Sequence, residues 1–126
     1  MLLPIILLMF FIFFADKLAD KFYWYNSIWY FDIIMHFLGG VWVGLFFIYV
    51  FSRRSLDNLI FKVVLSVLLI GIFWEIFEFY VNNVVGRTPF NVVDTLFDII
   101  FDFFGGLLSV LYFLKKIMKA SENRVQ

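Results

Sequence analysis

The chain has 126 residues, no cysteine, and ten Lys and Arg against ten Asp and Glu. Disulfides, thiolate metal centres and cysteine nucleophiles are therefore excluded, and a net charge of zero gives no reason to expect nucleic acid as a partner. Hydrophobic residues make up 64% and aromatic residues 24%, with a mean hydropathy of +0.98, well above a soluble domain, so lipid is the expected solvent.

Met1 to Ala15 is apolar, with Pro4 near its start. It lacks the basic lead and small-residue end of a signal peptide and reads as the beginning of a first transmembrane helix. Its purely apolar part would span only about 22 Å at 1.5 Å per residue, short of the ~30 Å hydrocarbon core. The helix is therefore expected to continue through Asp16, Lys17 and Asp20 towards Phe22. Asp16 and Asp20 share a face there and are expected at headgroup level, paired with Lys17 or Lys21.

Phe22, Tyr23, Trp24 and Tyr25, with Trp29 and Tyr30, read as an aromatic belt at one membrane surface. A second span is expected from Ile28 to Phe51. A short charged turn follows, in which Asp57 is a candidate N-cap for the next helix. The third span is expected from Leu59 to Val81, the longest loop from Asn82 to Asn91, and the fourth span from Val92 to Leu114. Ser121 to Gln126 is expected to be a disordered polar tail. The fold class is thus all-α, a polytopic transmembrane bundle of four helices forming one domain over residues 1–120, with a tail at 121–126. With four spans, Arg53, Arg54, Lys62, Lys115, Lys116, Lys119 and Arg124 share a side and outweigh Lys17, Lys21 and Arg87. The positive-inside rule then places both termini in the cytoplasm of a plasma-membrane protein.

Three short polar motifs interrupt these spans: Asp32-x-x-x-His36, Glu75-x-x-Glu78 and Asp94-x-x-x-Asp98, the last continued by Asp102. A charge at membrane depth costs about 2.5–3.5 kcal/mol on insertion scales and marks a functional site by default. Asp32, His36, Glu75, Glu78, Asp94 and Asp98 all fall near the same, outer ends of their spans, within roughly 3–12 Å of one surface at 1.5 Å per residue. Spacings of three and four put each pair on one helix face. The same stripes continue into Gly40 and Gly44, Gly71, and Gly105 with Gly106, and small residues let transmembrane helices approach closely.

So many buried acids with one imidazole cannot all remain ionised without a counter-charge. They share protons, bind a cation, or draw in Arg87, Lys17 and Lys21. An oxygen-rich set with one nitrogen suits a hard or borderline divalent metal. Asp32, His36, Glu75, Glu78, Asp94 and Asp98 are the candidate ligands, Glu78 the candidate base, and Arg87 a candidate contact to an anionic headgroup or phosphate. The bland readings stand beside these. Glu75 and Glu78 also read as protonated carboxyls bonding helices together, His36 as a satisfied interior histidine, Asp102 as a bond to a facing helix, and Trp42 and Trp74 as packing residues.

Asp32 to Gly39 (Asp-x3-His-Phe-x-Gly), Trp74-Glu75-x-x-Glu78, and Asp94-Thr-x-x-Asp98 followed by Gly105-Gly106 together resemble the YjdF-like family of prokaryotic inner-membrane proteins, itself distantly similar to VanZ-like proteins. The resemblance covers about Trp29 to Leu108, and against typically longer members this chain looks like a four-span core. It implies a membrane bundle with an important acidic site. Through the VanZ-like association with resistance to a lipophilic glycopeptide antibiotic, it points towards envelope or lipid chemistry.

Three functions follow as expectations. The first is a divalent-metal site acting on a lipid or lipid-linked substrate, with membrane lipids as partners. The second is a proton- or ion-coupled transporter subunit, which with four spans would need a homo-oligomer. The third is a polar layer that only fixes helix packing. The glycines beyond the acids favour a pocket over a conduction path.

Overall fold

A bilayer leaves the backbone no water to bond, so a chain this apolar must satisfy its peptide groups within helices. The computed structural model describes residues 2–28, 30–55, 57–85 and 92–125. It has α1 (Leu2–Phe22), a short α2 (Trp24–Ser27), α3 (Phe31–Ser52), α4 (Leu59–Val85) and α5 (Val92–Val125), and no strand among the described residues. Helices α1, α3, α4 and α5 are each long and apolar enough to cross a membrane, as the sequence predicts.

The elements begin and end for local reasons. Tyr23 takes a left-handed backbone (φ 58°) that breaks α1 from α2. Ser27 closes the turn by donating its hydroxyl to the Tyr23 carbonyl at 2.9 Å. Trp24 stacks on Phe22 and meets Phe31 edge-on, so the belt aromatics build the reversal from α1 into α3. At the other reversal the expected cap is corrected. Asn58, at φ 53°, precedes α4 and accepts the first helical bond from the Lys62 N–H at 3.0 Å, while the Asp57 N–H donates to Ser55 Oγ. Asn tolerates the left-handed region better than most residues. Other boundaries also differ from the sequence reading: α3 begins at Phe31, not Ile28, because Ile28 takes an extended backbone after α2, and it ends at Ser52. Helix α4 continues to Val85, and α5 runs to Val125 through the tail expected to be disordered.

Helices α3 and α5 run parallel, with α4 antiparallel to both, and α3 against α5 is the most extensive contact. Glycine makes that contact close. A Cβ on Gly40 would lie closer than 3.0 Å to the Asp102 backbone, one on Gly105 closer than 3.0 Å to the Phe37 and Val41 backbone, and one on Gly44 closer than 3.0 Å to Ser109. Helix α4 leans on both, with Gly106 against Val67. The outlier is α1. Among the described residues it packs only on α3 and α2, fastened by the Trp42 indole N–H, which donates to the Ile5 carbonyl at 3.1 Å.

The bundle has two storeys. Around the ends of α3 and α5 and the start of α4 sits an apolar core of Ile48, Leu59, Val63, Val67 and Val110. The opposite end, where α3 and α5 begin and α4 finishes, carries the acids.

Candidate functional site

The polar storey is built round His36. Its ring is buried at 9% exposure and addresses carboxylates with both nitrogens. Nδ1 lies 3.2 Å from Oδ1 of Asp102 on α5. Nε2 lies 3.3 Å from Oδ2 of Asp98, 3.7 Å from Oδ1 of Asp32 one turn back on α3, and 3.9 Å from Oε1 of Glu75 on α4. One imidazole thus joins acids from α3, α4 and α5. Asp98 is 1% exposed, and Glu75 and Asp102 are both 8% exposed.

Two oxygens in this layer, Glu75 Oε1 and Asp98 Oδ1, are buried with no hydrogen-bond partner among the described residues. A buried charged oxygen without a donor is costly, so their presence calls for a ligand or a shared proton. Two groups of ligand atoms converge within 4.8 Å of one another: Asp32, His36 and Asp98, and Glu75, Glu78 and Asp98. Asp98 belongs to both.

Of the residues singled out from the sequence, Asp32, His36, Glu75, Glu78 and Asp98 come together. Asp94 lies one turn outward from Asp98 on the exposed part of α5, outside both groups. Arg87 lies on the segment 86–91, outside the described residues. Glu78 is half-buried and accepts the indole N–H of Trp74 at 2.9 Å, so Trp74 orients an acid as well as packing. Lys17 and Lys21 sit over the rings of Phe13 and Phe22.

Two roles exceed what their sequence positions suggest. Asp102 does bond a facing helix, as read from the sequence, and because its partner is Nδ1 of His36 it also joins the layer, with the four-residue repeat Asp94, Asp98, Asp102 as the signal. Gly71 makes room for it, since a Cβ there would stand 2.7 Å from Asp102 Oδ2.

The layer opens into a cleft of about 740 Å³ between α1 and α4, floored by α3. Asp16, Asp32, His36, Glu78 and Asp102 line its polar end, so Asp16, expected from the sequence at headgroup level, borders this site. A cleft of this size with a few convergent polar groups is the usual form of a small-molecule site.

The family model described as "Predicted membrane protein (DUF2238)" matches residues 2–119, and the YjdF-like resemblance of the motifs points to this same family. An uncharacterized protein of Thermotoga maritima is 32% identical over 88 residues, covering 64% of this chain and 46% of the relative. The chain thus spans about half the length of that curated relative. No solved structure matches.

Proposed function

The chain belongs to the DUF2238 family of predicted membrane proteins, and within that frame we propose that its polar storey binds a divalent cation and acts on a lipid or lipid-linked substrate. The observation that carries the reading is a pair of buried oxygens that accept no hydrogen bond among the described residues, Glu75 Oε1 and Asp98 Oδ1, each on a residue of a converging ligand group. Asp32, His36 through Nε2, Asp98 and Glu75 are the proposed ligands, with Asp94 at the rim and Glu78, though within ligand distance, left over as the base. Asp102 would fix the His36 ring from behind, the outer-shell arrangement common at histidine-ligated metals. Oxygen donors with one imidazole suit Mn²⁺, Mg²⁺ or Zn²⁺.

A bound cation supplies Lewis acidity towards a phosphoryl or carbonyl oxygen, or an activated water. The chain's own contribution would be Glu78, oriented by Trp74, as the base at the mouth of the cleft, and Arg87, from the segment that joins α4 to α5 in sequence, for an anionic head. The more distant VanZ-like kinship, with its envelope chemistry, belongs to this proposal, as do a plasma-membrane location and cytoplasmic termini.

The test is elemental analysis of detergent-purified protein beside the Glu75→Gln/Asp98→Asn double variant. Near-stoichiometric metal in the parent, absent from a variant that remains folded, is the expected result. No metal in the parent after incubation with Zn²⁺, Mn²⁺ and Mg²⁺ would leave a protonated network that only packs helices, or a proton-coupled carrier.

A further inference from the structure

The cleft between α1 and α4 is shaped by a glycine that packing does not require. Gly40, Gly44, Gly71, Gly105 and Gly106 each stand where a Cβ would meet a neighbouring helix, whereas a Cβ on Gly39 would meet nothing within 4 Å. Gly39 lies in mid-helix, where glycine is costly relative to alanine, and it lines the cleft. Its missing side chain leaves open space and does not close a helix contact.

Away from the polar end, the cleft's walls are Met9, Ile12 and Phe13 on α1 and Val67 and Ile70 on α4, all apolar. Helices α1 and α4 do not pack on each other, so the gap opens sideways into the bilayer. Along α3 the lining runs from Asp32 to Val43, and along α4 from Glu78 to Val67. Each is about 16 Å at 1.5 Å per residue, close to half of the ~30 Å hydrocarbon core. Below it the Trp42–Ile5 bond draws α1 onto α3. The cleft is therefore one leaflet deep and closed at its inner end. A transmembrane helix from a partner would cross both leaflets, whereas this cleft is only one leaflet deep.

From these features we infer that the cleft seats a hydrocarbon chain of one membrane phospholipid, entering between α1 and α4, with its phosphate head at the acidic storey. The seat for the chain rests on the cleft alone. The contact of the head rests on the proposed cation, since a phosphate beside these acids needs a positive charge between them.

The test is native mass spectrometry of the full chain in detergent, offered phosphatidylglycerol, with metal content measured on the same preparations. The parent is expected to hold one phospholipid per chain. Gly39→Leu and Ile70→Trp, which add bulk from two different helices, are expected to weaken that binding by about tenfold or more with metal content unchanged. Ile72→Trp, on the exposed face of α4 outside the cleft, is expected to bind as the parent does. No retained lipid in the parent, or equal retention in parent and both cleft variants, overturns the inference. A parent that holds one lipid, lost in Gly39→Leu, yet binds no metal supports the cleft and overturns the cation.

Discussion

Nδ1 of His36 and Oδ1 of Asp102 meet at 3.2 Å across the glycine-lined contact of α3 and α5. Asp102 lies a turn deeper than Asp98, so it holds the imidazole from below while Nε2 faces the other acids. This bond decides which nitrogen is free for a ligand, and it makes the geometry of the layer depend on how closely two backbones approach.

Asp102→Asn is accordingly expected to leave the chain folded and to weaken divalent-cation affinity about 10–100-fold, as loss of an outer-shell partner does. Asp98→Asn removes a residue common to both ligand groups and is expected to abolish binding. Titration of chelator-stripped protein with Zn²⁺ or Mn²⁺ measures both. Equal, slight effects from the two variants would contradict the assignment.

Gly71→Ala should imitate Asp102→Asn without replacing a titratable group. The new Cβ would stand 2.7 Å from Asp102 Oδ2, and a carboxylate can swing away more cheaply than a backbone can. The expected outcome is a weakened cation site with little change in thermal stability. Unaltered affinity would show that Asp102 does not need its present rotamer.

Adjacent glycines are expected to respond with opposite signs. Gly40→Ala drives a Cβ into the Asp102 backbone and should destabilise by about 1–3 kcal/mol or more, as overpacking does. Gly39→Ala meets open space and should stabilise by up to about 1 kcal/mol through helix propensity. Thermal unfolding of both in one detergent provides the comparison.

Cation binding should also show in stability. A site filled at 100 times Kd stabilises by about 2.7 kcal/mol, so chelation is expected to lower Tm at neutral pH. Carboxylates and imidazole ligate only when deprotonated, so the difference between metal-loaded and chelated protein should shrink as the medium is acidified. A metal-dependent Tm shift that is unchanged in acid would point to binding elsewhere.

Trp42→Phe keeps a ring to stack on Phe46 but removes the donor to the Ile5 carbonyl, worth about 0.5–1.5 kcal/mol. Because α1 packs on so little else, the effect should be local. Amide exchange is expected to quicken in α1 and stay unchanged in α5.

The spans and the polar layer were legible because both rest on one-dimensional signals. Apolar length marked α1, α3, α4 and α5, and spacings of three and four put Asp32 with His36, Glu75 with Glu78, and Asp98 with its neighbours at one level. The glycine stripes foretold the α3–α5 contact. What the sequence hid depends on relations between helices. Gly39 and Gly40 are identical letters, yet one faces a cleft and the other a backbone. Asp102 read as a bond to a facing helix, which it makes, but the sequence could not show that its partner is the imidazole of His36 on α3. Asp57 looked a better cap than Asn58 because capping preference says nothing of the left-handed turn that the chain takes there.

Helix α5 is unbroken from Val92 to Val125, about 50 Å at 1.5 Å per residue, far beyond the ~30 Å of hydrocarbon. One stiff rod therefore carries Asp98 and Asp102 near one end and the lysines at 115, 116 and 119 towards the other. Between them lie Gly105 and Gly106, a pair at which a helix bends easily, but both are held against neighbouring helices, Gly105 by α3 and Gly106 by α4. The splint that straightens the rod is therefore the same contact that fixes the height of the carboxylates against His36.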